Sequence, residues 1–268
     1  MAKFFDQFSS FTEGEKAWDE KAKKAQKARP LKVLKNTPNI PGITKKTKRF
    51  LKIKSLYYLI KEDKGRVLPH LKKKPFRYFF SLIRSYFKKR PYKVQGDFYL
   101  YGIDSIQEME EKLLEKNSVF LLGFSYCHKP FECPSGRFSD KCIHDPNNPV
   151  CSQCFIGKAI HAAPAENTKI AIIPTVHYIG QKVLELVDQY PKKNIVFLIT
   201  ACEMTLKMFA DFGNMTKIKG TGIRLDGRIC NTLRAFDLSE KGIKPGLTVV
   251  LDKTQKEMLR LLRLRATL

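Results

Sequence analysis

The sequence predicts an α/β fold, a largely parallel sheet with flanking helices, preceded by a basic, mostly helical N-terminal region. Three observations predict it. From about residue 96, short apolar runs alternate with segments of helical period, the pattern of βαβ units. Hydrophobic residues make up 43% of the 268, enough for a packed core. The positive charge is confined to the first third: residues 1–95 hold 27 Lys and Arg against 7 Asp and Glu, whereas residues 96–268 hold 23 against 19. The expected division is a basic region over 1–95, made of helices and a linker, and a cysteine-rich, Rossmann-like domain over 96–268.

In chain order, residues 14–36 begin as an Ala/Lys/Glu helix that Pro30 interrupts, and "NTPNIPGITKK" reads as a linker or extended arm. "RFLKIKSLYYLIKEDKG" has short helical periodicity ending at Gly65. Between Pro75 and Pro91, Phe76, Phe79, Phe80, Ile83 and Phe87 share one helix face, with Arg77, Arg84 and Lys88 away from it. Three readings are open for this aromatic, basic helix: packing of the stripe on the C-terminal domain, contact with an anionic membrane surface, or contact with nucleic acid. No uncharged apolar run approaches the ~20 residues of a transmembrane span.

The clearest buried strands are "SVFLLGFS" (118–125), "KIAIIPT" (169–175), "NIVFLIT" (194–200) and "LTVVLD" (247–252), with a further strand in "IKGTGIRL". Between them "SIQEMEEKLLEK" (105–116), "GQKVLELVDQY" (180–190) and "EMTLKMFADFG" (203–213) read as helices, the last closed by Gly213. "KTQKEMLRLLRLRATL" is a C-terminal amphipathic helix.

Seven cysteines fall in the C-terminal half. Five follow C-x5-C-x8-C-x8-C-x2-C, from Cys127 through Cys133, Cys142 and Cys151 to Cys154, in a segment full of turn residues; Cys202 and Cys230 stand apart. The N-terminal stretch has no apolar run of signal-peptide length, so the expected setting is cytoplasmic, where thiols stay reduced. Inert buried cysteine could explain Cys202, which ends an apolar run, but explains five cysteines in a polar loop poorly. In open α/β sheets ligands bind outside the carboxyl ends of the strands. Cys127 follows "SVFLLGFS", Cys202 follows "NIVFLIT" and Cys230 lies in "LDGRICNT", so parallel strands would bring all three to one rim.

Thiolates suit zinc and iron–sulfur clusters, either needing about four. Cys133, Cys142, Cys151 and Cys154 most simply make a structural zinc site, although only Cys151 and Cys154 have knuckle spacing. Clusters accept wider spacings, and the Cys133-Pro134 pair has ferredoxin precedent. At a helix N-terminus Cys202 would be biased towards thiolate, with Glu203 working against it. His128 and His144 could ligate or donate protons, although loop histidines are more often solvated, and His161 and His177 are weaker candidates. There is no radical-SAM cysteine run, GxGxxG, P-loop or HExxH.

The succession "CHKPFECP", "CSQCFIG", "AIIPT", "ACE" and "GTGIRLDGRICNT" resembles the prokaryotic family called domain of unknown function 116, over roughly residues 118–238. The resemblance gives all seven cysteines counterparts and supplies no reaction. Here the Cys133–Cys151 segment is longer and more polar. A basic, aromatic region also stands where family members often carry apolar segments suggestive of membrane attachment, which shifts the expectation from spanning to surface contact.

The leading expectation is a metal-binding protein with an iron–sulfur (4Fe-4S) cluster on Cys127, Cys133, Cys151 and Cys154, Cys142 being the alternate, in redox or sulfur chemistry with a redox partner protein. Cys202 and Cys230 would complete a second metal centre or act as catalytic thiols. The alternatives are a zinc-stabilised binding module whose residues 1–95 dock on an anionic membrane surface or RNA, and a thiol enzyme using Cys202.

Overall fold

The structure is a computed structural model that describes residues 3–32, 54–87, 91–244 and 246–268. The expected linker over 36–46 lies outside them, as does Lys88. Ser10 starts α1 (Phe11–Ala28): its Oγ accepts the Glu13 N–H, one of the orphan donors of the first turn, and the Glu13 carboxylate accepts from the Ser9 N–H and hydroxyl just ahead of the cap. After it come α2 (Lys54–Glu62), α3 (Leu68–Lys73) and α4 (Pro75–Phe87).

Two short strands the sequence pattern does not signal, β1 (Lys93–Gln95) and β2 (Phe98–Tyr101), form an antiparallel edge on the main sheet. Then come α5 (Ile106–Leu113), β3 (Ser118–Ser125), a 3-10 turn at Tyr126–His128, α6 (Pro149–Gln153), α7 (Phe155–Ala162), β4 (Thr168–Ile173), α8 (Val176–Gln189), β5 (Asn194–Ala201), α9 (Glu203–Thr216) and β6 (Lys219–Arg224). The chain closes with β7 (Asp226–Gly227), α10 (Leu233–Glu240), β8 (Thr248–Val249) and α11 (Asp252–Arg265).

The main sheet has the order β1-β2-β6-β5-β3-β4, and β6, β5, β3 and β4 are mutually parallel. Alternate side chains of β3 feed two cores, as a doubly covered sheet requires. Phe120, Leu122 and Phe124 pack with α5, α7, α11 and with Phe4, Phe5 and Trp18 from the first thirty residues. On the other face, Leu121 packs with α8, α9 and Tyr78 of α4. Gly123 lets the neighbouring strands' side chains close over β3, since a Cβ there would lie 2.8 Å from Ile199 Cγ1 and 3.0 Å from Ile173 Cδ1.

Three expectations are corrected. "LTVVLD" does not join the main sheet; only Thr248 and Val249 are extended, paired antiparallel with β7 in a separate ribbon. Gly213 does not close its helix: it sits inside α9 against Phe209, and Lys217 supplies the left-handed cap at φ 61°. The aromatic stripe of α4 does not pack on the domain. Tyr78, Leu82 and Ser85 face inward, with Ser85 donating to Asp211 (2.7 Å), while Phe76, Phe80 and Phe87 are 75%, 64% and 81% exposed. Among the described residues no helix is long and apolar enough to cross a membrane.

Replacing Gly123 by Ala should force Ile199 and Ile173 aside and cost about 1–3 kcal/mol, read as a lower denaturation midpoint at unchanged slope.

Candidate functional site

From β3 the chain crosses to β4 on one side, then returns past β3 to β5 on the other. The carboxyl ends of β3 and β5 therefore flank a topological switch point, where an open α/β sheet leaves a crevice. Three thiols meet there. Ser125 Oγ accepts the Cys127 N–H (3.3 Å) and so turns Cys127 back over the strand end; Cys202 is the N-cap of α9; Cys230 comes after β7. All three are buried and line one cavity of about 40 Å³ with Thr175, Ser239, Glu240 and an apolar wall that includes Ile179, Phe209 and Phe236.

The cavity is held by bonds from outside the sheet. Tyr126 Oη donates to the Ser239 carbonyl, fixing α10 above β3. Lys244 Nζ donates to the Arg228 carbonyl (2.7 Å) and lies 3.4 Å from Cys230 Sγ. Glu240 accepts the Val176 N–H (2.8 Å) at the start of α8.

Cys133, Cys142, Cys151 and Cys154 instead line a second, smaller cavity of about 10 Å³, together with His144 and Lys129. Asn148 caps α6 by accepting the Val150 and Cys151 N–H groups, which places Cys151 on a helical turn and Cys154 at its end. Gly157 allows α7 to start directly behind, since a Cβ there would lie 2.7 Å from the Cys151 carbonyl. The backbone N–H groups of Ile156 and Gly157 then reach Cys154. α1 clamps this corner through Lys21 to Asn147 (2.6 Å), Gln153 to the Arg29 carbonyl (2.9 Å), and Lys158 to Glu15 and Asp19.

The irregular stretch between is organised by two cations. Lys129, 1% exposed, donates to Ser139 Oγ and the Lys141 carbonyl, both at 2.9 Å, and to the Gly136 carbonyl. Arg137 donates to the carbonyls of Lys129 (3.2 Å), Lys244 (2.7 Å), Cys127 (3.4 Å) and Gly246, and thereby joins the loop to the rim.

Burial dominates the loop electrostatics: it pushes the Cys151 thiol up to about 11 and Cys154 to about 12, and the neighbouring Cys142 and Cys133 thiols push the same way. Cys142 and Cys127 are likewise raised by burial. At the switch point the buried Cys202 and Cys230 thiols act on each other, raising Cys202 and lowering Cys230. Lys244 and Ser239 beside Cys230 favour its thiolate against the cost of burial. The helix-end argument for a thiolate at Cys202 is thus outweighed by its neighbour. His128 is stacked on Phe155 and driven down to about 4 by burial, so its imidazole is neutral; its Nδ1 has no hydrogen-bond partner among the described residues.

The seven sequence candidates therefore separate into four and three. Cys127, expected to join Cys133, Cys151 and Cys154, lies with Cys202 and Cys230, and Cys142 takes its place in the loop set. His144 lines the loop cavity, its Nδ1 3.1 Å from the Cys142 carbonyl; His161 is held by the Phe4 N–H, and His177 neighbours Thr175. Among the described residues no three His, Cys, Asp or Glu side chains converge as a ready-made single-ion site. Glu240, Lys244, Lys129 and Arg137 carry no motif and are found only through the fold. Comparison with family models, curated proteins and solved structures finds no match to the chain.

Burial, reinforced by Cys230, Glu62 and Asp237, raises the Glu240 carboxyl from its ordinary 4.5 to about 8. The folded state keeps this proton where the unfolded chain has lost it, so stability falls as pH rises from about 4.5 through about 8. Glu240→Gln, which can still accept the Val176 N–H, should flatten that part of the stability profile in denaturation measured between pH 5 and 9.

Proposed function

We propose that the chain is an iron–sulfur redox protein whose cluster is held by Cys133, Cys142, Cys151 and Cys154. The observation that carries this reading is that these four cysteines line one small cavity in a segment with little regular structure, so that a modest closing of the loop would bring together sulfurs that do not yet converge among the described residues. Cluster ligation tolerates the wide, uneven spacing of the first three, whereas a structural zinc site normally takes two knuckle-like pairs and only Cys151 and Cys154 make one. A cluster here would supply one-electron storage. The chain's own part is to hold four thiolates, exclude water from Cys154, and set the Lys129 ammonium beside the thiolate charge. The seven-cysteine resemblance to domain of unknown function 116 is consistent with such a centre and names no reaction.

Zinc in the same four cysteines is the second reading. The cavity of about 10 Å³ favours it, because that space holds roughly one water-sized body, and a cluster would have to displace the loop outward.

Protein purified without oxygen should carry about four iron and four acid-labile sulfide per chain. Cys151→Ser should lose most of both, and Cys127→Ser should keep them. Zinc without sulfide would replace the first reading by the second, and neither metal in folded protein would overturn both.

The exposed aromatic face of α4 supports docking of this redox protein on an anionic membrane surface. Lys72, Arg77 and Arg84 are exposed near Phe76, Phe79, Phe80 and Phe87, whereas Lys73 is paired with Asp188, and the sequence continues with Lys88, Lys89 and Arg90. Aromatic rings with flanking cations match the apolar and charged layers of such an interface. The protein should sediment with vesicles containing phosphatidylserine and far less with phosphatidylcholine alone. The triple change F76S/F80S/F87S should weaken this at least about tenfold, with little effect on stability, since these rings are exposed. Equal binding of the variant, or capture by single-stranded RNA in preference to vesicles, would overturn the membrane assignment.

A further inference from the structure

We propose that the switch-point pocket is a thiol–disulfide exchange site, in which Cys230 attacks a small, apolar disulfide and Cys202 resolves the mixed disulfide. This is a separate site from the loop cavity and does not rest on what the loop holds.

Three features carry it. First, Cys202 and Cys230 come from different elements, are both buried, pack in one cluster and line the same cavity, which makes them partners for one covalent bond. Second, the pair is chemically unequal. Lys244 Nζ stands 3.4 Å from Cys230 Sγ and donates to it, so a negative sulfur is stabilised at Cys230; Cys202 has Thr205 Oγ1 at 3.3 Å and, among the described residues, no ammonium in its contacts. An attacking thiolate beside a resolving thiol is the arrangement that exchange needs.

Third, both cysteines line the cavity of about 40 Å³, whose walls include Ile173, Ile179, Phe209 and Phe236. That volume is about three water-sized bodies, which admits a dithio bridge with its adjoining methylenes and excludes folded polypeptide. Glu240 lines the same cavity and can deliver and recover protons.

The Cys230 sulfur attacks one sulfur of R–S–S–R′; the S–S bond breaks, a Cys230–S–S–R bond forms, and R′S⁻ leaves with a proton from Glu240. Cys202 then gives its proton to the Glu240 carboxylate and attacks the Cys230 sulfur, forming the Cys202–Cys230 disulfide and releasing RS⁻, which takes up a proton from solvent. Two electrons pass from the protein dithiol to the substrate, which leaves as two thiols. A dithiol reductant resets the pair by the reverse exchange. Cys127 lines the pocket as a spectator, its thiol kept neutral by burial.

The test is anaerobic reaction of the reduced full-length protein with 2-hydroxyethyl disulfide, then peptide mass mapping. Wild type should release two equivalents of mercaptoethanol per chain and yield a Cys202–Cys230 cross-link. Cys202→Ser should stop after one equivalent with the hydroxyethyl adduct on Cys230, and Cys230→Ser should react at least about tenfold more slowly. First modification at Cys127 or a loop cysteine, an undiminished rate in Cys230→Ser, or reaction only after unfolding would overturn the proposal. Wild-type mapping alone decides the cross-link should a variant fail to fold. The peptide masses are independent of iron content, so loss of the cluster reading leaves this outcome legible.

Discussion

The pairing of β3 on both edges is the constraint on which the rest of the molecule depends. It is hydrogen-bonded to β4 from Phe120 to Ser125 and to β5 from Ser118 to Phe124, and residues 118–124 are all buried. A strand in that position must be apolar on both faces and must end abruptly, because the residues beyond Ser125 have no ladder to join. The Ser125 cap and the 3-10 turn at Tyr126–His128 provide that end. Since β4 and β5 lie on opposite sides of β3, the chain beyond Ser125 opens over the crevice between them. The thiol pocket is thus a consequence of strand order, and the cysteine loop is the excursion from β3 that returns through α6 and α7 to β4.

Much of the sheet is legible in the residues. Uncharged runs such as "SVFLLGFS" and "NIVFLIT" identify strands because parallel strands covered on both faces cannot alternate polar residues, and a cysteine just after such a run is committed to the carboxyl rim. The grouping of the thiols is not legible. Spacing records how far apart two cysteines are along the chain, but not where the chain turns, and here two successive turns, Tyr126–Lys129 and Pro130–Cys133, separate Cys127 from the loop set. The aromatic periodicity of α4 is readable, yet Tyr78 and Leu82 offer a second apolar face, and the choice between faces is made by Ser85, Asp211 and Asn214 across the contact with α9. The edge strands β1 and β2 leave little pattern because they are short, and β1 is exposed along its length.

Two opposing effects act on the thiols, and their balance differs between the cavities. In the loop, burial and mutual repulsion both disfavour thiolate, so four negative sulfurs there require a positive occupant, with Lys129 offsetting only part of the charge. At the switch point the neighbouring thiol and one nearby ammonium overcome burial for a single sulfur, Cys230, at the expense of Cys202. One chain therefore keeps two sets of cysteines in different electrostatic settings, separated by the direction in which the backbone leaves β3, and the two proposals rest on that difference.

Arg137 gives this arrangement a modular consequence. Its guanidinium holds carbonyls on both sides of the boundary, at Cys127 and Lys129 before the loop and at Lys244 and Gly246 beyond the last cysteine, while α1 closes the far side through Gln153 and Lys158. The segment from Cys133 to Cys154 looks like a portable knuckle when read alone. Its fasteners, however, are drawn from two distant stretches of the chain as well as from the residues just before it, so transplanting it to another scaffold would carry the sulfurs without the frame that aims them.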